Sequence, residues 1–471
     1  MNKSPGVREF RGSKSYLALI CFVASLGGVL FGFDTAVISG TVSMVETQFG
    51  LDKISVGWFG SSALIGAILG SLIAGALGDR YGRRPVLILS AVLFFISALG
   101  STVSPTFDLL IPSRLVGGLG IGMASVLAPL FISEFSPPKV RGRLVALYQM
   151  SIVIGILLAY FSNWMLLGFS KNHLQLFGER ELLQQVMVSE VWRAMFGAEM
   201  LPAALFFFLL LLIPESPRWL VKEGKEAMSF KILRKLSGET VARAELAAIH
   251  ASVSERSGTI AELFKPGFRL ALIVGVGLSV FGQFTGVNII VYYGPDILGN
   301  AGYNFDNALK FQVAIGLINF VFTALALWKI DSWGRRPLLI WGMSAVFVSL
   351  LIIGFMFSLS ENQGIWIVIM LGIYMASLAF SINAVIWVLL GEIYPNRLRG
   401  RAMSLATFAN WGTNFGTAFL FPWFVSRAGM NTGFFVFAGM CFMATIFFYR
   451  LVPETKGRSL EEIEAFWNQK H

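Results

Sequence analysis

Asp79-Arg80-Tyr81-Gly82-Arg83-Arg84-Pro85 returns as Asp331-Ser332-Trp333-Gly334-Arg335-Arg336-Pro337, and that recurrence decides how the chain is read. Other signals recur with it. Glu134, Pro137 and Arg141-Gly142-Arg143 match Glu392, Pro395 and Arg399-Gly400-Arg401 at the same internal spacing. Pro214-Glu215-Ser216 closes one apolar run as Pro453-Glu454-Thr455 closes another. Motifs that repeat in the same order mark an internal duplication, and the element assignment has to respect it.

Between these motifs the chain is apolar. Its 471 residues are 55% hydrophobic and 14% charged, with 43 Phe, which is outside the range of an ordinary soluble globule. A bilayer crossing takes about 20 apolar residues. Twelve runs qualify: 16–42, 56–77, 85–103, 109–132, 144–169 and 192–213, then 270–297, 311–330, 338–357, 365–390, 402–425 and 433–452. The expected fold is an all-α membrane protein of twelve transmembrane helices in two pseudo-symmetric six-helix halves. Residues 1–213 form the first half, 214–267 a helical linker, and 268–471 the second half with a short tail. An even number of spans separates the copies, so the halves share one orientation about an axis along the membrane normal. In the linker, residues 226–236 and 239–254 have helical periodicity with charged faces, as amphipathic helices under a bundle require. A solvated linker with no gating role explains them equally well.

The net charge of +10 would suggest nucleic acid in a soluble chain. Here the basic residues instead gather in alternate loops. Lys3, Arg8, Arg11 and Lys14 precede the first span, Arg80, Arg83 and Arg84 follow the second, and Lys139, Arg141 and Arg143 follow the fourth. Arg335 and Arg336, then Arg397, Arg399 and Arg401, repeat the pattern, whereas the opposite loops carry few cations, such as Lys53 and Lys310. The positive-inside bias therefore places both termini in the cytoplasm, with the lipid bilayer as the partner and no nucleic acid. The run after residues 1–15 is too long and Gly-rich for a cleaved signal core. The first loop, 46–55, lacks Asn and so cannot carry an N-glycan, in keeping with a plasma membrane of bacterial inner-membrane type. Cys21 and Cys441 lie far apart in apolar runs and offer no disulfide framework.

Three charges interrupt the spans of the first half: Asp34 within the Gly-rich stretch 27–40, Arg114 and Glu199. An ionised carboxylate at bilayer depth costs about 2.5–3.5 kcal/mol on insertion scales, so Asp34 needs a cation, a proton or water. An Arg stays protonated and can hold one acid, then release it when that acid takes a proton. That is the physical minimum for proton coupling. Local packing of each charge is the simpler reading, and sequence alone does not bring the three together. The Gly-rich run 117–122 has no following Lys and no strand, which argues against a phosphate loop and ATP-driven transport. His173, His250 and His471 fall outside the spans without Cys at ligand spacing, so neither a metal nor another cofactor is expected. Gly66, Gly70, Gly118 and Gly122 are read as permitting close helix approach.

Amides and aromatics dot the remaining spans: Gln149, Gln283, Asn288, Tyr292, Asn319, Asn383, Trp387, Asn410 and Trp411. Amides both donate and accept, as a neutral polyhydroxylated ligand requires, and indole faces cover the C–H face of a sugar ring.

Over residues 16–467 the chain resembles the sugar porters of the major facilitator superfamily, most closely the bacterial xylose/proton symporter type. The resemblance rests on Gly32-Phe33-Asp34-Thr35, residues 79–84, Arg114 with Gly118, Gly120 and Gly122, and Pro214-Glu215-Ser216-Pro217-Arg218-Trp219. It continues through Gln283-Phe284-Thr285-Gly286-Val287-Asn288, residues 392–399 and Pro453-Glu454-Thr455-Lys456-Gly457-Arg458. It implies alternating access, with a pentose- or hexose-sized sugar held between the halves and a proton as coupling ion. Gln149, Gln283, Asn288, Asn319, Trp387, Asn410 and Trp411 would contact sugar, with Phe31 and Tyr292 lining or gating the site. Asp34 would be the proton-carrying acid, Arg114 its partner and Glu199 a competitor for Arg114. Arg80, Glu134, Arg141, Glu215, Arg335, Glu392, Arg399 and Glu454 would form cytoplasmic ion pairs latching the outward-open state. The chain departs from the family where substrate is chosen. Gly282 replaces the first Gln of a usual pair, and Asn383-Ala384 replaces a Gly-Pro. Asn383 is expected to restore the lost hydrogen-bonding group. An uncoupled facilitator, a cyclitol carrier and a membrane sugar sensor stay open as alternatives, and a monomer is expected.

Overall fold

The computed structural model describes residues 13–137, 140–173, 176, 180–254, 260–265, 268–359, 364–394, 396–458, 462–463 and 466–467. Lys3, Arg8, Arg11, Lys139 and Pro395, and the two chain ends whose side the basic residues predict, lie outside these residues.

Eleven helices among the described residues are long and apolar enough to cross a membrane, from Lys14–Gly40 to Met430–Leu451. The twelfth predicted span is the 33-residue helix Asn396–Ala428. Thr407, Asn410, Thr413, Asn414 and Thr417 interrupt its apolar character, and these residues matter below. Helix starts follow the sequence. Ser13, Asp52 and Asn304 are N-caps whose side chains accept from Tyr16, Ser55 and Asn307 backbone N–H groups, satisfying donors that have no partner within the helix.

Each copy of the repeated motif is the turn between two spans. Gly82 and Gly334 end the second and eighth spans at φ 103° and 87° and launch the third and ninth. Only glycine adopts this backbone without strain. A Cβ at either position would also lie 2.3 Å from Glu215 Oε2 or 2.6 Å from Glu454 Oε2.

Small residues set the packing inside the first half. A Cβ on Gly118 would fall 1.9 Å from the Ala63 carbonyl, and one on Gly66 2.2 Å from that of Leu115. Spans 2 and 4 therefore cross backbone to backbone, as the glycine spacing predicts. The two sets of six spans meet chiefly where span 2 packs on span 11 and span 5 on span 8. The tightest of these contacts lie at the end remote from the basic loops. A Cβ on Gly57 would sit 2.0 Å from the Phe419 carbonyl, and one on Gly60 2.2 Å from the Tyr293 hydroxyl. Tyr160 Oη donates to the Val291 carbonyl at 3.4 Å. Pro295, four residues on, has no N–H for that carbonyl, and Tyr293 between them leaves helical geometry (φ −116°, ψ 15°).

The linker helices run over Glu226–Ser237 and Glu239–Ser254, matching the predicted periodicity. The first docks on the start of span 1, where the Lys235 ammonium lies 3.6 Å from the Tyr16 ring centroid. Cys21 and Cys441 are free and buried.

Candidate proton and sugar site

Asp34 and Arg114, on spans 1 and 4, are 0% and 2% exposed and form an ion pair through Asp34 Oδ1 and Arg114 Nη1. Arg114 Nη2 also donates to the Asp34 carbonyl at 3.4 Å, and its guanidinium lies 5.2 Å from the Phe196 ring centroid. The missing side chain of Gly117 leaves room for Asp34 Oδ2, which would be 2.7 Å from a Cβ there. Glu199 is 1% exposed and stands within electrostatic reach of both partners. It occupies a break in span 6, between helices Trp192–Gly197 and Met200–Leu212. The structure therefore gathers all three predicted charges, with the bond made between two of them. Asp34 Oδ2, Arg114 Nε and Glu199 Oε1 are buried with no hydrogen-bond partner among the described residues. Two buried carboxyl groups thus stand beside one guanidinium, and buried polar atoms without partners are costly.

The amides come together because span 7 breaks. Its first helix ends at Gln283, Gly286 turns at φ 80°, and a second helix starts at Val287. The break sets Gln283 and Asn288 side by side. Asn288 Nδ2 donates to Gln283 Oε1 at 2.7 Å, and Gln283 Nε2 donates to Asn410 Oδ1 on span 11 at 2.8 Å. One turn away, Asn414 Nδ2 donates to Tyr292 Oη at 3.1 Å. Trp411, between Asn410 and Asn414, faces Phe31 of the first half with ring centroids 5.5 Å apart, and its Nε1 is buried without a partner among the described residues.

Other predicted residues stand apart from this chain of bonds. Asn319 accepts from Thr323 on its own helix at 3.3 Å. No hydrogen bond among the described residues joins Gln149, Asn383 or Trp387 to the amides, and Trp387 is 37% exposed. Asn414 was missed by the sequence reading, although its i, i+4 spacing from Asn410 puts both on one helix face. Span 10 breaks at Ser381 (φ −113°, ψ −111°) without the Gly-Pro of the family pattern. The bare backbone of Gly342 makes room, since a Cβ there would be 2.1 Å from Ser381 Cβ.

The basic loops form two matching clamps. Glu215 accepts from the backbone N–H of Arg83 and Arg84 at 3.1 and 3.0 Å, and Glu454 from Arg335 and Arg336 at 3.1 Å each. Arg83 pairs with Asp79 at 3.0 Å and Glu134 at 3.2 Å, as Arg335 pairs with Asp331 at 3.0 Å and Glu392 at 2.9 Å. Ser216 and Thr455 donate to Glu134 and Glu392. Burial raises the Glu215 carboxyl above its usual range, and the N–H groups of Ser216, Arg84 and Arg83 oppose that rise.

Within these clamps the geometry differs from the predicted ion pairs at one residue. Arg83, not Arg80, is the N-half cation in the clamp, because the turn at Gly82 folds Arg83 back toward Glu134 while Arg80 faces outward over the Tyr81 ring. In the present arrangement these bonds of Arg83, Glu134, Glu215, Arg335, Glu392 and Glu454 join neighbouring spans and do not cross from one six-span set to the other. Arg141 donates to the Ser136 carbonyl, and Arg399 Nε and Nη2 are buried without partners among the described residues. Arg83→Ala leaves Glu134, 3% exposed, without its cation, and breaking a buried pair costs about 3–5 kcal/mol. Thermal melts of purified protein should show a large loss for Arg83→Ala and almost none for Arg80→Ala; equal losses would refute the assignment.

Comparison with known proteins agrees with this architecture. A family model described as "Sugar (and other) transporter" matches residues 20–467. The chain is 38% identical over 456 residues to the arabinose-proton symporter of Bacillus subtilis, covering 97% of this chain and 96% of that one. It is 37% identical over 487 residues to the D-xylose-proton symporter of Escherichia coli, with the same coverage. It is also 37% identical over 459 residues to the major myo-inositol transporter of Bacillus subtilis, covering 96% and 94%. Among solved structures, the partially occluded inward-open xylose transporter from Escherichia coli aligns with a TM-score of 0.82 at 35% identity, covering 95% of this chain and 100% of that one. The family match spans nearly all of the duplicated bundle, so this chain belongs to the sugar transporter family, as a membrane carrier of major facilitator fold and not an enzyme.

Proposed function

We propose that the chain imports a monosaccharide together with a proton by alternating access, in a bacterial inner membrane, with both termini and the basic loops in the cytoplasm. In this reading residues 1–213 and 268–471 move as two halves joined by the linker 214–267. The observation that carries it is the buried Asp34–Arg114 pair beside Glu199. When Asp34 takes a proton from outside it stops attracting Arg114, which is free to turn toward Glu199. The charge set that fixes spans 1, 4 and 6 then changes, and with it the relative stability of the two conformations. Sugar adds to the same balance through Gln283, Asn288, Asn410, Trp411 and Tyr292, to which Asn414 is added. Gln149, Asn319, Asn383 and Trp387 supply further contacts once the halves close on the ligand.

In this structure the halves touch at the end away from the basic loops, which in the proposed orientation is an inward-facing state. Each clamp holds the end of one span to the start of another and keeps its half rigid while the halves rock. Names of relatives support the substrate class, two being sugar–proton symporters and one a myo-inositol transporter. The last of these favours a cyclitol as the second substrate reading.

Purified protein in liposomes with an imposed pH gradient tests the proposal. L-arabinose, D-xylose, D-glucose and myo-inositol are offered in turn. Accumulation driven by the gradient, with alkalinisation outside on sugar addition, is the expected result. Rapid counterflow without proton uptake would make the protein a facilitator, and no transport at all would favour a sensor. Gln283→Ala removes the hub of two amide bonds, each worth about 0.5–1.5 kcal/mol, and leaves Asn288 and Asn410 unpaired. Sugar affinity should fall about 10- to 100-fold in equilibrium binding; a change under twofold would take Gln283 out of the site.

A further inference from the structure

A cavity of about 1090 Å³ opens at the end of the bundle away from the basic loops, and none of the ten predicted sugar residues lines it. Its walls include Glu46, Lys53, Tyr293, Asp296, Tyr303 and Phe421, from both halves. The volume is several times that of a monosaccharide, and it lies directly above the contact that closes this end.

Most charges in it are already satisfied. Glu46 pairs with Lys53. Glu190 accepts from Gln48, Gln185 and Arg193 at 2.7, 2.8 and 2.6 Å. Burial acts to raise the Glu190 carboxyl, but those bonds and the Arg193 charge outweigh it and hold the group below its usual range. The carboxylate of Asp296 is different: no hydrogen bond or ion pair to it is formed among the described residues, although its backbone carbonyl accepts from Asn300 at 2.8 Å. Two carboxylate oxygens side by side suit a pair of vicinal hydroxyls. The half-buried ring of Tyr303, held edge-on to Phe311 at 4.8 Å, supplies an apolar face. A surplus of negative charge in the lining disfavours anions.

We infer that this cavity is a second sugar site, an outer vestibule in which a neutral polyhydroxylated ligand is held by Asp296 and an aromatic wall before the central amides are reached. The inference rests on the transport reading above. Tyr293, Pro295 and Asp296 all belong to the distorted part of span 7, so a ligand in the vestibule touches the segment that must move for the outer end to open.

A thiol introduced by Ser426→Cys, on the cavity wall and exposed, reports on occupancy. The two native cysteines are buried. Right-side-out vesicles are treated with a membrane-impermeant maleimide, with and without D-xylose, L-arabinose or myo-inositol at about 100 mM. A transported sugar should slow alkylation about fivefold. The protection should persist when Gln283→Ala is added and disappear when Asp296→Asn is added, while the sugar-free labelling rate stays unchanged. Protection that vanishes with Gln283→Ala would be a conformational signal from the central site, and would overturn the vestibule. So would protection that survives Asp296→Asn, or that sodium chloride of equal osmolarity reproduces, the last marking a cation cavity. Uptake by the Ser426→Cys variant separates the two claims: sugar uptake without protection removes only the vestibule, whereas no uptake of any sugar removes the transport reading as well.

Discussion

Asp34→Asn should retain sugar exchange and lose accumulation. The amide keeps the size of the carboxylate and can still accept from Arg114 Nη1, so the packing of spans 1 and 4 persists. It cannot take up or release a proton in the working range. One elementary charge moving down 100 mV supplies about 2.3 kcal/mol, which sustains a sugar ratio of about 50-fold. In proteoliposomes with an imposed potential and pH gradient that ratio should collapse to one, while counterflow stays within a few-fold of the native rate. Glu199 remains within reach to neutralise Arg114. Uphill accumulation by the variant would show that coupling resides elsewhere.

Gly57→Leu should block turnover and spare binding. A Cβ at Gly57 would lie 2.0 Å from the Phe419 carbonyl, which belongs to a helix of the other half and cannot yield without moving that helix. Overpacking of this kind costs about 1–3 kcal/mol or more. The penalty falls only on the state in which the halves touch at this end. A shift of about 3 kcal/mol changes the conformational ratio about 100-fold. Uptake should drop by about that factor, with sugar affinity within about threefold of native. Near-native turnover would mean that the close approach of spans 2 and 11 is not part of the cycle.

Much of this was legible in the chain because it is written as pattern. The length of the apolar runs, the doubled Asp-x-x-Gly-Arg-Arg turns and the glycine spacing on spans 2 and 4 each translate directly into geometry. The meeting of Asp34 with Arg114 was legible as a need rather than a place, since two opposite charges in hydrocarbon have few other recourses. What failed to read were features set by orientation. Arg80 and Arg83 look alike in sequence, and only the turn at Gly82 decides which of them points at Glu134. Ser381 breaks span 10 without the Gly or Pro that would announce it, because the space is supplied by Gly342 on another helix. The outer cavity is assembled from loop and helix ends far apart in sequence, so no single stretch signals it. Asn414 was within reach, as the second amide on a face that already carried Asn410.

The doubled clamps show two copies built alike, yet their interiors have diverged. One copy keeps the buried acid and its guanidinium; the other keeps the connected amides. In the proposed reading neither is a pump by itself, because the acid that would carry the proton and most of the amides that would hold the sugar sit in different copies. Among the described residues the copies meet along a seam where rings and bare backbone touch: Phe31 on Trp411, Gly57 on Phe419, and Tyr160 on a carbonyl that proline left without a donor. In the proposed cycle, chemiosmotic work would be handed from one copy to the other largely by shape, through these contacts of rings and bare backbone.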